Sequence, residues 1–298
     1  MKTILITGVS GFIGNALAHA LAQRHRVVGF SRKATAIPGA INLVGDFSMP
    51  EDLHKLDDHA IDVLIHLAAV TGGCSEEDGL RVNVAGTHHL LRYLIKRGCQ
   101  KFVLASSIAA VGFQSVKFRP LQLPMPDDHP CLDRDGYGLS KYLMEEVTRY
   151  LSRQNEALDF INLRLASIIP DGQESSLRQA GPINEWAIGS VTKMYLSDTV
   201  RCLTLAAEAP HKPGVRILNA VGAQAAVAEA VPVILRAWYG DDVDKLDLSH
   251  YEQPGHERDA LYDISQIKAE LGFVPACGFW FRTPIAITSI TTKISISG

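Results

Sequence analysis

Tyr137 and Lys141 are the residues whose types and spacing most clearly suggest chemistry in this sequence. They are four positions apart, and on an α-helix that spacing places both side chains on one face. An ammonium close to a phenol favours the phenolate, so we expect the pKa of Tyr137 to be lowered. The pair predicts a group that exchanges a proton with a substrate oxygen. A surface contact between the two side chains is the alternative.

Three glycines near the start of the chain form a second candidate site. Gly8, Gly11 and Gly14 have the spacing G-x-x-G-x-x-G, directly after a predicted buried strand and at the start of a predicted helix. Backbone N–H groups and the positive end of a helix can bind a pyrophosphate where no Cβ is in the way. The pattern predicts a bound dinucleotide, with an ordinary tight turn as the alternative. An oxidised nicotinamide ring would also favour the phenolate of Tyr137.

The end of the second predicted strand should select the dinucleotide. An acidic residue there would accept hydrogen bonds from the ribose 2′-OH of NAD, but this chain has Ser31, Arg32 and Lys33. A hydroxyl and two cations suit a 2′-phosphate, which favours NADP over NAD. The alternative is a solvated basic loop that accepts either cofactor. Asp46 and its neighbour Phe47 are candidates for the adenine edge, although Asp46 could instead cap the next helix.

Ser107 supplies the small hydroxyl that such a site would need. It follows the predicted strand 101–105 and should lie at the carboxyl edge of the sheet, where α/β proteins bind ligands. Its hydroxyl could bind the substrate oxygen and the negative charge that develops on it. A serine that ends a strand can also be a simple turn residue.

The elements that position these residues alternate between strand and helix through roughly the first 165 residues, which predicts an α/β fold with a doubly wound, Rossmann-like parallel sheet. The pattern loosens after Pro170. We therefore expect an NAD(P)-binding domain over residues 1–169 and a small substrate-binding lobe over 170–298, interleaved with the end of the sheet. The predicted strands are 3–6, 26–31, 62–67, 101–105 and 158–163, and the predicted helices are 12–23, 83–97, 136–153, 196–208, 223–238 and 264–271. The tail 284–298 could be an added strand or a frayed end.

Composition limits the other classes of function. The 298 residues carry a net charge of −3 and no basic block, so no nucleic-acid partner is expected. No apolar run is long enough to span a bilayer, and no membrane partner is expected. The five cysteines form no C-x-x-C, which predicts free thiols and a cytoplasmic location. No H-E-x-x-H and no Cys/His cluster is present, so no metal site is predicted.

The motifs together resemble the extended branch of the short-chain dehydrogenase/reductase superfamily, in its sugar epimerase/dehydratase group. The likeness runs through Thr7-Gly8 to Gly14, His66 to Ala69, Asn83 to Thr87, Ser106 to Gly112 and Tyr137 to Lys141, and it resumes at Tyr195 to Asp198 and Asp263 to Pro275.

The resemblance implies a role for each matching residue. Tyr137 would be the acid/base, Lys141 its partner at the nicotinamide ribose, Ser107 the donor to the substrate oxygen, and Asn83 a support for the active-site helix and the cofactor. The pyrophosphate would be lined by Gly8, Gly11, Phe12, Ile13 and Gly14, and the adenosine ribose would lie over Leu67, Ala68 and Ala69. Members commonly form homodimers through the helices that correspond to 84–97 and 138–153.

Differences from the family pattern reduce the number of reactions and substrates that we expect. Sugar dehydratases carry Thr-Asp-Glu where this chain has Ser107-Ile108-Ala109, so dehydration is not expected. The segment from Pro170 to Tyr195 is short for a nucleotide-sugar clamp, which favours a smaller substrate. We expect an NADP-preferring oxidoreductase that interconverts a carbonyl and an alcohol on a small or sugar-like molecule. The alternatives are a nucleotide-sugar 4-epimerase that retains NAD and a dinucleotide sensor without catalysis.

Overall fold

A seven-stranded parallel sheet forms the centre of the protein, in a computed structural model that describes residues 1–173, 176–276 and 278. The strand order is β3-β2-β1-β4-β5-β6-β9, and every neighbouring pair is parallel. The strands are β1 (Thr3–Thr7), β2 (Arg26–Ser31), β3 (Ala40–Val44), β4 (Val63–His66), β5 (Lys101–Ser107), β6 (Asp159–Leu165) and β9 (Gly214–Ala220), and a separate parallel pair is formed by β7 (Ser167–Ile169) and β8 (Lys193–Tyr195). The predicted Rossmann-like fold is confirmed.

Helices cover both faces of the sheet. Their bounds are α1 (Phe12–Leu21), α2 (Pro50–Leu53), α3 (Glu76–Asp78), α4 (Thr87–Lys96), α5 (Gly136–Gln154), α6 (Ala187–Val191), α7 (Leu196–Glu208), α8 (Val231–Tyr239) and α9 (Ser265–Leu271). A π-helical segment, Gly79–Gly86, joins α3 to α4, and 3-10 helices lie at His54–Leu56, Ile108–Val111, Gly240–Lys245 and Ser249–Glu252.

Neighbouring residues of β1 show how the two layers form. Ile4 and Ile6 lie in a core with Leu17 of α1 and Leu203 of α7, whereas Leu5 lies in the opposite core with Leu90 of α4. Successive side chains of a strand point to opposite faces, so each strand supplies both cores. This burial on two faces explains the continuous apolar sequence of the strands.

The second half of the chain is divided between the sheet and a lobe. Strand β9 extends the sheet beside β6, and α7 packs on α1, so part of segment 170–298 belongs to the same layers as residues 1–169. The lobe has its own core, which contains Ile188, Val231 and Tyr262. The predicted tail 284–298 lies outside the described residues.

The predicted helix 223–238 is wrong over its first half. The helix begins only at Val231, with Pro232 in its first turn, and Gln224 instead pairs with Asp259 in an isolated bridge. Proline fits the first turn of a helix but breaks its interior, because it has no N–H to donate.

Parallel strands bring several loops to one edge. The carboxyl ends of β1, β2, β4 and β5 all meet there, and each end is followed by residues that the sequence singled out. Among the described residues, no helix is both long and apolar enough to cross a membrane.

Candidate active site

Ser107 is the last residue of β5 and caps the 3-10 helix that follows. Its Oγ accepts a hydrogen bond from the backbone N–H of Ala109 at 3.1 Å, and its side chain is buried. The cap fixes the hydroxyl at the carboxyl edge of the sheet, where the sequence predicted it.

Tyr137 lies in the first turn of α5. The Oδ1 of Asp135 accepts from the N–H of Gly138 at 2.9 Å and begins the helix as its N-cap. A Cβ on Gly138 would lie 2.6 Å from the carbonyl oxygen of Ala109, so glycine is required for this close approach. The approach brings the Tyr137 hydroxyl into a hydrogen bond with the side chain of Ser107.

The pKa of Tyr137 is raised to about 12 by the protein itself. Burial disfavours the phenolate, and the hydrogen bond from Ser107 opposes this effect only in part. The prediction that the pKa is lowered is therefore wrong for the chain's own groups. Near neutral pH the side chain is a phenol, which suits it to donate a proton.

Lys141 is buried beside the tyrosine. Its Nζ donates to the carbonyl oxygen of Ala105 at 2.6 Å and lies 5.7 Å from the centre of the Tyr137 ring. Burial lowers the pKa of Lys141 to about 8, against the opposing charge of Glu145. The structure thus brings Ser107, Tyr137 and Lys141 together at one edge, as the spacing and the strand end predicted.

Asn83 acts on the loop after β4 and on α5. Its Oδ1 accepts from the N–H of Val70 at 2.8 Å, and its Nδ2 donates to the carbonyl of Val70 and to the Oγ of Ser140, both at 2.9 Å. Ser140 in turn donates to the carbonyl oxygen of Tyr137 at 2.8 Å. Asn83 is a positioning residue that ties the cofactor-side loop to the helix of Tyr137.

The glycine turn is built for close approach of a ligand or backbone. Gly8 has a φ of +72°, and a Cβ there would lie 2.9 Å from the backbone nitrogen of Ala68. A Cβ on Gly14 would collide with the carbonyl oxygen of Gly8. Gly11 is the N-cap of α1, so the positive end of the helix faces outward beside Phe12 and Ile13, the first two residues of the helix. The side chain of Phe12 is half exposed, and that of Ile13 is partly buried.

The loop after β4 lies against this turn. Leu67, Ala68 and Ala69 are partly buried, and the N–H of Ala68 donates to the Oγ1 of Thr7 at 3.3 Å. The predicted pyrophosphate and ribose residues therefore lie side by side at the ends of β1 and β4.

Two cationic side chains, Arg32 and Lys33, are exposed to solvent at the end of β2. Ser31 is buried and its Oγ donates to the carbonyl oxygen of Lys33 at 2.8 Å. Arg32 and Lys33 are exposed, and neither forms an ion pair with a residue that the structure describes. The serine hydroxyl is thus engaged in the local turn, and the cations are the groups available to a phosphate.

Asp46 and Phe47, the candidates for the adenine edge, make contacts within the protein from the loop after β3. The Oδ1 of Asp46 accepts from the N–H and the hydroxyl of Ser48, at 2.9 and 2.7 Å, so this carboxylate caps its own turn. The ring of Phe47 is buried, edge-on to the ring of His66 at 4.8 Å between centroids. The assignment of Phe47 to the adenine edge stays a prediction, and the buried ring leaves the backbone as the part of this residue that could make the contact.

His66 is a buried polar residue that belongs to one of the matching motifs but received no predicted role. Its Nδ1 lies 2.7 Å from the Oγ1 of Thr7 and its Nε2 lies 2.9 Å from the Oγ1 of Thr87. Burial and the charge of Lys141 lower its pKa to about 3, so the ring is neutral. It joins β1, β4 and α4 beneath the cofactor side of the site. A lone polar residue at the end of an apolar strand was the available signal.

A buried ion pair lies behind the tyrosine on α5. Glu145 accepts from the Nε and Nη2 of Arg164, at 2.9 and 2.8 Å, and from the Oγ of Ser106 at 2.6 Å. The two charges and the serine fix α5 against the ends of β5 and β6, and hence fix the register of Tyr137.

Trp186 extends from the lobe over this edge. It is 40% exposed, and its φ of +64° is in the left-handed region that non-glycine residues rarely adopt. Its ring meets the ring of Phe113 edge-on at 5.8 Å, and a Cβ on Gly72 would lie 2.5 Å from its Cη2. The indole therefore bridges the loop after β4 and the loop after Ser107.

The parallel sheet, the glycine turn and the Ser–Tyr–Lys cluster meet at one edge of the fold. Residues 4–188 match the model of the NAD dependent epimerase/dehydratase family, and the chain belongs to that family. The family predicted from the motifs is confirmed.

The chain has only low sequence identity to individual relatives in this family. The chain is 29% identical over 184 residues to UDP-glucose 4-epimerase 4 of Oryza sativa subsp. japonica, covering 55% of this chain and 48% of the relative. It is 30% identical over 181 residues to a putative UDP-glucose 4-epimerase of Methanocaldococcus jannaschii, covering 57% of each. The chain thus spans about half the length of these curated relatives.

A solved structure extends the likeness in fold to most of the chain. MoeE5 in complex with UDP-glucuronic acid and NAD is similar with a TM-score of 0.66, at 21% identity, over 93% of this chain and 94% of the other. At this identity the likeness establishes the shared fold.

Proposed function

We propose that the protein is an NADP-preferring oxidoreductase that interconverts a carbonyl and an alcohol on a small or sugar-like substrate. The observation that carries the proposal is the arrangement of Ser107, Tyr137 and Lys141 at the carboxyl edge of the sheet. A proton donor, a hydrogen-bond donor for the same oxygen and a buried cation are the groups that carbonyl reduction requires.

The residues of the glycine turn fit a dinucleotide. Side chains at Gly8 and Gly14 would fill the cradle, and the N-terminus of α1 supplies N–H groups for the pyrophosphate. When bound, the cofactor supplies or accepts the hydride. In the reducing direction Tyr137 gives its proton to the substrate oxygen, and in the oxidising direction its phenolate takes that proton back. Ser107 orients the oxygen in both directions, and Lys141 provides positive charge beside the phenol.

The preference for NADP rests on the end of β2. Arg32 and Lys33 extend into solvent without an ion-pair partner among the described side chains, so their charge is available to a 2′-phosphate. NAD, with a 2′-hydroxyl in that position, gains nothing from them.

Trp186 supports the assignment of a sugar-like substrate. The indole is 40% exposed beside the loops that follow β4 and Ser107, and such an aromatic surface can pack against the apolar face of a sugar ring. The left-handed backbone at this residue costs about 1–3 kcal/mol, and such strain concentrates at ligand sites.

A second candidate function is 4-epimerisation of a nucleotide sugar with retained NAD. It is favoured by the curated relatives, which are UDP-glucose 4-epimerases, and it uses the same three residues. The two functions differ in net redox change. An epimerase carries its cofactor through purification and interconverts two UDP-sugars without consuming NAD(P)H.

The Tyr137→Phe variant tests the proposal. With the preferred cofactor and a panel of carbonyl substrates, kcat should fall by about 10²–10⁴-fold while the affinity for NADPH is retained. Tyr142→Phe, one residue beyond Lys141 on the same helix, is the matched control and should keep full turnover. Unchanged kcat in Tyr137→Phe contradicts the proposal. Tight NADPH binding without turnover in the unaltered protein would instead favour a dinucleotide sensor.

We also propose a homodimer through α4 and α5. Leu80, which precedes α4 in the π-helical segment, is 37% exposed, and Tyr150 on α5 is 44% exposed, with its ring 6.5 Å from that of His88. The helices α4 and α5 lie next to each other, and the π-helical segment that carries Leu80 also contacts α5. Sedimentation velocity should give a dimer, and a monomer at micromolar concentration would reject this pairing.

A further inference from the structure

A cluster of two histidines and one aspartate lies in the lobe, in a part of the chain that the proposed reaction does not use. His250, His256 and Asp259 each offer one ligand atom, and these atoms all lie within 4.8 Å of one another. No other group of three or more such side chains with this closeness occurs among the described residues. The sequence predicted no metal site, because it contains neither H-E-x-x-H nor a Cys/His cluster.

The two imidazoles converge on a single oxygen. The Nε2 of His250 lies 3.0 Å from the Oδ2 of Asp259, and the Nδ1 of His256 lies 2.7 Å from the same atom. Ligand atoms about 2.0–2.2 Å from a tetrahedral Zn²⁺ are about 3.3 Å apart. The two N···O distances are within about 0.6 Å of that spacing, and the two imidazole nitrogens lie within 4.8 Å of each other.

The backbone holds the three residues in place. Successive turns connect them, with the N–H of His256 donating to the carbonyl of Gln253 at 3.0 Å and the N–H of Asp259 donating to the carbonyl of His256 at 3.1 Å. Gly255, with a φ of +90°, permits the reversal between the two histidines.

The segment that carries the cluster is anchored at both ends. The hydroxyl of Tyr251 donates to the carbonyl of Ala260 at 3.0 Å, and the N–H of Ala260 donates to the carbonyl of Ala223 at 3.0 Å. The ligand atoms are therefore partly preorganised, which reduces the entropy lost on binding a metal.

The surroundings suit a divalent cation. His250 and Asp259 are about one-third exposed and His256 is about half exposed, so a metal ion can enter and a water can complete the coordination. Glu257 lies near His256 and adds negative charge. Two imidazoles and a carboxylate are ligands of Zn²⁺ and of neighbouring first-row metals.

We propose that His250, His256 and Asp259 form a binding site for one divalent transition-metal ion of the Zn²⁺ type. The ion cross-links the segment 250–259 and stabilises the lobe. Residues just beyond this segment contact the loop before α5, since the N–H of Met125 donates to the carbonyl of Leu261 at 2.8 Å. The site is thus structural, and its test is independent of the proposed reaction.

Calorimetric titration of chelator-treated, untagged protein with ZnCl₂ tests the site. One Zn²⁺ per chain should bind with a dissociation constant in the micromolar range or below. At 100-fold excess over that constant, the melting temperature should rise by about 5 °C. Absence of binding below millimolar Zn²⁺ would overturn the proposal.

Variants show whether these residues are the ligands. His256→Ala changes an exposed side chain, so it should fold normally, bind Zn²⁺ at least 100-fold more weakly and lose the thermal shift. His54→Ala is the matched control, because His54 also bonds a carboxylate, Asp57, at 3.1 Å but is not part of a three-ligand cluster among the described residues. Equal weakening in both variants, or in neither, would overturn the assignment.

A Co²⁺ spectrum provides a second readout on the unaltered chain. Binding to the three ligands should give visible d–d absorption that saturates at one equivalent and that excess Zn²⁺ removes. A spectrum identical to that of Co²⁺ in buffer would contradict the site.

Discussion

Replacing Lys141 with methionine is expected to stabilise the protein while it inactivates the proposed reaction. The ammonium is buried, donates to the carbonyl of Ala105, and forms no ion pair with a described residue. Burial lowers its pKa from 10.5 to about 8. At 1.36 kcal/mol per pKa unit, keeping the charge in the folded state at neutral pH costs about 3 kcal/mol.

The substitution also removes a hydrogen bond. The carbonyl oxygen of Ala105 loses its donor from Nζ, which costs about 1–2 kcal/mol. Methionine has a similar length and no charge to desolvate. The net expectation is a gain of about 1–2 kcal/mol in the free energy of unfolding, or about 2–6 °C in melting temperature.

The change of stability with pH shows whether the buried charge of Lys141 is the cause of the gain. Between pH 8 and 10.5 the unfolded chain holds a proton on Lys141 that the folded chain has released, so the stability contributed by this group rises with pH. The penalty is fully present below pH 8 and is relieved by pH 10.5. The advantage of Lys141→Met should therefore be largest at pH 7 and turn into a loss of about 1–2 kcal/mol near pH 10.5, where only the missing hydrogen bond to Ala105 remains.

Urea unfolding followed by circular dichroism at pH 7 and pH 10 measures both effects. Lys101→Met is the matched control, because Lys101 is also buried but donates to the Oδ2 of Asp159 at 2.9 Å. Breaking that ion pair should destabilise the protein. A loss of stability in Lys141→Met at pH 7, or a gain that does not change with pH, would refute the reasoning.

Three further predictions concern the cofactor, the helix of Tyr137 and the substrate. Arg32→Ala should weaken NADPH binding by about 10-fold or more and leave NADH nearly unchanged; equal weakening in fluorescence titrations of both cofactors would reject the basis for NADP preference. Gly138→Ala places a Cβ 2.6 Å from the carbonyl of Ala109, so it should lower kcat and the melting temperature together, whereas Gly181→Ala, which has open space around it, should change neither. Trp186→Ala should raise KM by about 10-fold with little change in kcat, and unchanged kinetics would remove the indole from the substrate site.

Much of the sheet could be predicted because its strands are apolar and short. The strands around residues 3–6, 26–31, 62–67, 101–105 and 158–163 all occur as β1, β2, β4, β5 and β6. Strands β3 and β9 were not predicted. Both strands lie at the edges of the sheet, and their burial is only partial: every described residue of β3 is partly buried or exposed, and β9 begins with two partly buried residues. The membership of β9 in the sheet depends on pairing with β6, which is distant in sequence.

The site residues could be predicted where all residues of a motif belong to the same turn or helix. Gly8, Gly11 and Gly14 are close in sequence, as are Tyr137 and Lys141, so strand, turn and helix geometry alone places them. The burial of the Phe47 ring could not be predicted, because a sequence does not show which way a loop side chain points.

The sequence by itself determined the class of protein, because a glycine turn after a strand and a Tyr-x-x-x-Lys helix are local patterns with local geometry. Tertiary structure decided the electrostatics. Burial of α5 against β5 raises the pKa of Tyr137 and lowers that of Lys141, and neither direction can be read from their spacing. Tertiary contacts also brought Trp186 over the loop at Gly72, and the turns of the lobe brought His250, His256 and Asp259 together. Desolvation and convergence depend on which segments pack together, and residues that lie far apart in the chain set that packing.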